Sequence, residues 1–340
     1  MPDQDGPEAA SKAEPEAFEL AGEVVAPGAR KDIELRVERL PSGPWISIPA
    51  IVMHGRLSGP TLWVSAALHG DEINGVEIIR RLLTILRPGD LSGTIILVPV
   101  VNQLGFMAGE RYLPDRRDPN RSFPGTPRGS LASRLANLFM REIVARCDYG
   151  IDLHCGSDDR INLPQIRADL TDPETARLAA AFCAPLTLDS QLRDGSLREA
   201  ATGAGVRVLL FEGGEANRYN EEAVSIGVAG ILRVIDALEM EPPSAPATSR
   251  TSSTAHSSRW VRASRAGLFR HQVELGDRVE QRAVLGHLSD IFGRQNLAVR
   301  ASVAGTIIGM RLGPRVNQGD ALFHIAQTPP PGPRYAHERD

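Results

Sequence analysis

Lysine is nearly missing from this 340-residue chain: Lys12 and Lys31 are its only two, both close to the N-terminus. A P-loop needs a lysine beside Ser or Thr after a glycine-rich turn, so nucleotide chemistry of that kind is excluded. Schiff-base and pyridoxal chemistry run through a lysine amine and are excluded from the body of the protein. Cysteine is scarce too. Cys147, Cys155 and Cys183 are odd in number and lack metal-type spacing, which fits reduced thiols in a cytoplasm. No apolar run reaches membrane-spanning length. The opening residues Met1-Pro2-Asp3-Gln4-Asp5 carry neither the basic nor the apolar region of a secretory leader, so a cytoplasmic protein with no membrane partner is expected. A formal net charge of -4 argues against a nucleic-acid partner, which usually leaves a basic face. What remains for chemistry is His, Glu, Asp, Arg and a metal.

The length suggests two domains, and 42% hydrophobic residues are enough for a sizeable core. An acidic, alanine-rich tail over 1–16 is expected to be disordered. The body, 17–240, alternates strand-like and helix-like segments, which implies an α/β domain with a largely parallel or mixed sheet. Strands are predicted over 33–37, 45–53, 62–68, 94–101, 149–154 and 206–211. Helices are predicted over 73–86, 130–145, 173–182 and 221–240. Residues 105–130 show no period but hold aromatics, prolines and charge, as an ordered functional loop would. A Pro/Ser-rich linker follows over 241–258, then short β segments over 259–328 and a proline-rich tail over 329–340. The β segments contain a repeat. Leu275-Gly276-x-Arg278-Val279-x-Gln281-x-x-x-Leu285-x-His287 recurs as Leu312-Gly313-x-Arg315-Val316-x-Gln318-x-x-x-Leu322-x-His324, an offset of 37 (312 − 275). Two copies of one unit imply a small quasi-symmetric all-β sandwich of biotinyl/lipoyl-like fold, but with no lysine to carry either group. His287 and His324 sit at equivalent positions, so packing roles are the plainer reading for both.

The chemistry gathers at strand ends. His69-Gly70-Asp71-Glu72 falls where the 62–68 strand gives way to a helix, a usual place for sites in α/β proteins. Alone this pair is weak, and a solvated histidine with a helix-N-terminal glutamate explains it as well. His154 closes a second strand, and a catalytic zinc takes three protein ligands with one position left for water. Asp152 shares a strand face with His154 and is placed to accept its other ring nitrogen. Glu212 ends a third strand with Gly213-Gly214 behind it, as a base or as an exposed turn residue. Asn102 ends a fourth.

Four motifs then occur in order within roughly residues 20–240: His69-x-x-Glu72, Asp118-Pro119-Asn120-Arg121-x-Phe123-Pro124-Gly125, Asp152-Leu153-His154 and Phe211-Glu212-Gly213-Gly214. Together they resemble the succinylglutamate desuccinylase/aspartoacylase family, which is related to the zinc carboxypeptidases. The Asp-Pro-Asn-Arg element is far more specific than the first pair. The resemblance implies a carboxypeptidase-like mixed β-sheet flanked by helices and a smaller C-terminal β-sandwich. It implies one Zn(2+) per chain, held by His69, Glu72 and His154, with Glu212 as general base and later proton donor. Asn120 and Arg121 would hold the substrate carboxylate, for which the planar guanidinium is suited. Arg111 would polarise the scissile carbonyl, although Arg116 or Arg117 in the same loop could take that role. Asp118 would orient His69, and Asn102 would line the pocket. The activity implied is deacylation of a small-molecule N-acyl amino acid. A metallocarboxypeptidase, a deacylase whose substrate has no free carboxylate, and a non-catalytic ligand-binding protein are the alternatives. Homo-oligomerisation is left open.

Overall fold

The computed structural model describes residues 15–157, 159–240 and 252–328. Residues 1–14 of the tail expected over 1–16, residues 241–251 of the linker expected over 241–258, and the tail over 329–340 lie outside the described residues.

A short antiparallel hairpin, β1 (Phe18–Leu20) and β2 (Glu23–Val25), precedes the long antiparallel pair β3 (Arg30–Arg39) and β4 (Trp45–His54). In β3 Ile33 and Leu35 are buried between exposed neighbours, the alternation of a strand with one wet face. β5 (Leu57–Ala66) leads through the His69 turn into α1 (Asn74–Ile85), and β6 (Ser92–Val98) into α2 (Gln103–Ala108). Every residue of β6 is buried, which explains the apolar run Ile95-Ile96-Leu97-Val98 in its second half. After the irregular loop come α3 (Leu131–Glu142), β7 (Tyr149–Gly156), β8 (Arg160–Ala168), α4 (Pro173–Phe182), β9 (Leu186–Asp189), α5 (Leu197–Gly203), β10 (Arg207–Glu215) and α6 (Glu221–Ala237). Side-chain oxygens of Ser130, Asp172, Ser196 and Asn220 cap four of these helices.

β10, β7, β5 and β6 form a parallel centre, and β8 and β4 pair antiparallel on either side. Alternate side chains face opposite layers. Leu62, Val64 and Ala66 of β5 join the core under α1, α4 and α6, while Trp63 joins the core under α3 and α5. This is the expected α/β architecture with a mixed sheet.

β8 was not expected. Its Pro164 breaks the appearance of an interior strand, because proline cannot donate to a ladder. The structure tolerates it because partners change there. β17 pairs with residues 160–162, β9 with 165–168, and the β10 register shifts beside it.

The C-terminal segments are β11 (Ser253–Ala255), β12 (Ser258–Arg262), β13 (Gly267–His271), β14 (Arg278–Val279), β15 (Val284–Ser289), β16 (Asn296–Arg300), β17 (Gly305–Arg311), β18 (Arg315–Val316) and β19 (Ala321–Ala326). The repeat governs them. β14 and β18 start 37 residues apart (315 − 278), as do β15 and β19 (321 − 284). One layer runs β12-β19-β17 with β14 on β17; the other runs β16-β15-β13-β18, its repeat counterpart in the same order. Their facing side chains, including Phe269, Leu285, Leu322 and Phe323, make a separate core. The symmetry breaks at one edge: β17 pairs with β8, so this layer continues the central sheet to thirteen strands. β11, inside the stretch expected as linker, pairs in parallel with β9.

Candidate active site

The site lies at the C-terminal ends of β5, β7 and β10. Leaving β5, the chain turns at Ala67, which takes a left-handed φ of 48°, a conformation that costs a side-chain-bearing residue energy and is common at functional turns. Gly70 follows with its Cα against a neighbouring segment. A Cβ there would stand 2.0 Å from the backbone carbon of Gly105, so only glycine fits. The tight turn brings His69 and Glu72 onto one buried spot, 3% and 2% exposed.

His69, Glu72 and His154 offer ligand atoms that all lie within 4.8 Å of one another. Nδ1 of His69 is 2.8 Å from Glu72 Oε1, and Nδ1 of His154 is 2.8 Å from Glu72 Oε2. The far nitrogens are held from behind. His69 Nε2 meets Asp118 Oδ1 at 3.1 Å, and His154 Nε2 meets Asp152 Oδ2 at 2.7 Å. Asp152 is itself fixed by the Ser65 hydroxyl at 2.8 Å. With each Nε2–H donated to a carboxylate, both Nδ1 atoms face the Glu72 carboxylate, as N–H donors while the rings are protonated and as ligand positions once a cation displaces those protons. Two imidazoles and a carboxylate so arranged are the donor set of a catalytic zinc site, and the residues fit the ion.

The electrostatics agree. Burial would depress His69 and His154, but Glu72, Asp118 and Asp152 outweigh it and raise both above the ordinary histidine range. Burial would raise Glu72, yet His69 and His154 hold it well below the usual carboxylate range. Burial, then the Glu72 charge, pushes Asp71 up to about 6. The cluster is built to face positive charge.

Ser157 and Arg111 surround the same glutamate. The Ser157 hydroxyl donates to Glu72 Oε1 at 2.6 Å, and Arg111 Nη1 reaches that oxygen at 3.2 Å and Ser157 Oγ at 2.8 Å. Arg111 Nη2 donates to Asp118 Oδ2 at 3.1 Å. Of the three arginines considered from sequence, Arg111 reaches the centre. Arg116 is exposed, and Arg117 pairs with Asp115 at the surface.

Glu212 pairs in register with His154 across β10 and β7. Its Oε2 accepts from Asn162 Nδ2 at 2.7 Å, and its Oε1 lies 3.7 Å from Arg167 Nη2. Asn120 is buried, and its Oδ1 accepts from the Leu197 backbone N–H at 2.9 Å. Arg121 is exposed next to it. Asn102 sits differently from its expected pocket-lining place. It is fully buried at the N-terminus of α2, where Oδ1 accepts from Gly105 N–H at 2.9 Å. A strand-end asparagine followed by a helix is as good a cap as a ligand contact.

Sequence reasoning passed over Ser157, Asn162 and Arg167. Ser157 lies three residues past His154, a weak signal. Asn162 and Arg167 belong to β8, the strand hidden by Pro164. A cleft of about 840 Å³ opens beside the centre, lined by Asp71, Arg111, Tyr112, Glu215 and, from the C-terminal module, Leu312. That volume suits a small molecule. No helix among the described residues is long and apolar enough to cross a membrane.

Known proteins resemble this chain in sequence and fold. Residues 58–238 match the succinylglutamate desuccinylase/aspartoacylase catalytic domain. The N-alpha-acetyl-L-2,4-diaminobutyric acid deacetylase of Halomonas elongata is 30% identical over 298 residues, which cover 83% of this chain and 86% of that protein. A succinylglutamate desuccinylase/aspartoacylase from Rhodobacter sphaeroides shares 28% identity and a TM-score of 0.78, over 87% of this chain and 95% of that one. The fold is also that of the ectoine utilization protein EutE (DoeB) from Ruegeria pomeroyi, at 24% identity and a TM-score of 0.79, over 87% and 94%. The matched domain spans more than half of the chain and the deacetylase most of it, so this protein belongs to the succinylglutamate desuccinylase/aspartoacylase family.

Proposed function

We propose that this chain is a zinc-dependent deacylase that hydrolyses the amide bond of an N-acyl amino acid or similar small carboxylate, with one zinc per chain. The observation that carries this reading is the buried convergence of His69, Glu72 and His154, with Glu212 in register beside His154. The Halomonas elongata relative supports an amino acid acylated on its α-nitrogen, with acetyl as the first group to try. Cysteines that form no disulfide and a small-molecule cleft suit a cytoplasmic metabolic role.

His69, Glu72 and His154 would hold the ion, which when bound supplies Lewis acidity and lowers the pKa of water. The residues do the rest. Glu212 takes a proton from the attacking water and returns it to the nitrogen as the C–N bond breaks, so the amine leaves neutral and the acyl group leaves as a carboxylic acid, whose proton then passes to the amine to give carboxylate and ammonium. Asn162 anchors one oxygen of Glu212, leaving the other for the proton. Arg111 donates to the oxyanion that develops on the carbonyl, exchanging its present partners Glu72 and Ser157 for the substrate. Arg121, exposed on the turn that follows Asp118, binds the substrate carboxylate, aided by Asn120 Nδ2.

Hydrolysis of a panel of N-acetyl, N-succinyl and N-formyl amino acids by zinc-loaded protein tests the reading. The panel includes Nα-acetyl-L-2,4-diaminobutyrate and short peptides. Turnover of at least one N-acyl amino acid, lost on chelation and restored by zinc, is expected. Release of C-terminal residues from peptides with no acyl amino acid cleaved would overturn it.

A further inference from the structure

We propose that Asn162 is a positioning residue for Glu212, and that the C-terminal module sets Asn162 in place through Gly309 of β17. The proposal rests on the reading of Glu212 as the base.

Asn162 is 8% exposed, and its Nδ2 donates to Glu212 Oε2 at 2.7 Å. A carboxylate at a strand end can otherwise rotate about its last bonds. A base must present one oxygen lone pair within hydrogen-bond reach of the proton it takes, so pinning the other oxygen supplies orientation. The backbone is shaped for this contact. Register between β10 and β8 shifts between Glu212 and Gly214, and Asn162 pairs with Gly214 at the end of the shifted stretch.

On its other edge β8 meets β17, where Asn162 pairs with Gly309. A Cβ on Gly309 would stand 2.9 Å from Asn162 Oδ1 and 3.3 Å from His324 Cβ. Gly309 therefore leaves the space that the Asn162 amide occupies, and its φ is not left-handed, so backbone conformation does not demand glycine there. Nor does the repeat. The counterpart of Gly309 is Gln272 (309 − 37), one residue beyond the end of β13, a strand that pairs with β15 and β18 rather than with a catalytic strand. The glycine belongs to the edge where β17 joins the catalytic sheet through β8. Through it, a strand of the second module decides where the amide beside Glu212 can stand.

The test is a double-mutant cycle on the full chain. Activity on the best substrate of the acyl amino acid panel is read together with bound zinc and the thermal midpoint. Asn162→Ala removes a hydrogen bond to a charged group, and kcat is expected to fall about tenfold or more. KM should stay within about twofold, because the substrate contacts are elsewhere. Bound zinc should be unchanged. The closest atom that Gly309→Ala meets is the movable end of Asn162, with His324 Cβ next at 3.3 Å, so it should fold and lower kcat in the same way. In the Asn162→Ala background it should cost nothing further, since the amide it displaces is gone. Wild-type kcat in Asn162→Ala overturns the positioning role, and additive losses in the double variant overturn the link through Gly309. If Asn162→Ala does not fold, wild-type kcat in Gly309→Ala overturns the proposal. Glu212→Gln is measured alongside. An active Glu212→Gln enzyme removes the base itself, whereas an inactive one beside an unimpaired Asn162→Ala removes only the positioning.

Discussion

Asp152 and His154 lie two residues apart on β7, and the ring nitrogen Nε2 of His154 donates to the Asp152 carboxylate at 2.7 Å. Period-two geometry puts both side chains on one face of the strand, so the contact needs no loop to arrange it. The bond fixes which nitrogen carries the proton and turns Nδ1 toward Glu72. Ser65, from the neighbouring β5, holds the other oxygen of Asp152.

Asp152→Ala should therefore weaken zinc binding by about 10- to 100-fold, the usual loss when the carboxylate behind a ligating histidine is removed. Competition against a chelator of known affinity measures it. Zinc affinity equal to that of the unaltered protein would mean that the ring is oriented by packing alone.

Metal binding should also be coupled to protons. Without metal, His69 and His154 are raised above the ordinary histidine range, so around pH 6.5 both rings are more protonated than free histidines and a cation must displace those protons. The sign follows directly: affinity falls as pH drops and rises as pH passes upward through the raised values, with up to two protons released per ion. For the metal-free protein the same shifts contribute stability below pH about 6.5 that is lost as pH rises through the raised values. Calorimetric titration with zinc in buffers of different ionisation enthalpy counts the protons. A release near zero at pH about 6.5 would contradict the raised values.

The parts of the site that lay at the ends of long apolar strands were legible, because such strands can only be buried centre strands and their ends are fixed by turn residues. His69, Glu72, His154 and Glu212 come together from three strand ends. The 37-residue repeat was legible for a similar reason: each copy contributes the matching strand to one of two facing layers. What was not legible depended on contacts between segments remote in sequence. Pro164 concealed β8, since its acceptability depends on where β9 and β17 begin and end against it. With β8 hidden, Asn162 and Arg167 had no place beside Glu212. Asn102 was misplaced because a cap and a pocket residue look alike until the next helix is seen. The choice among Arg111, Arg116 and Arg117 likewise waited on the path of an aperiodic loop.

The last prediction separates two arginines by what each one meets. Arg111 is 18% exposed in its side chain and tied to Glu72, Asp118 and Ser157 around the centre, where negative charge develops on the carbonyl oxygen. Arg121 is exposed on the Pro119–Arg121 turn, with Nη1 donating to the Asn120 carbonyl. A donor to developing charge acts mainly in the transition state, so Arg111→Ala should lower kcat by about 100- to 1,000-fold. A donor to a carboxylate that is charged throughout binds ground and transition states alike, so Arg121→Ala should raise KM and spare kcat. The N-acyl amino acid amides, which lack the carboxylate, supply the control. Against them Arg121→Ala should perform like the unaltered enzyme, because the contact it removes was never made. Steady-state kinetics of both variants on matched acid and amide substrates decide the matter. An Arg121→Ala enzyme equally impaired on acids and amides would move the carboxylate site to another cation, of which Arg167, near Glu212, is the first to try.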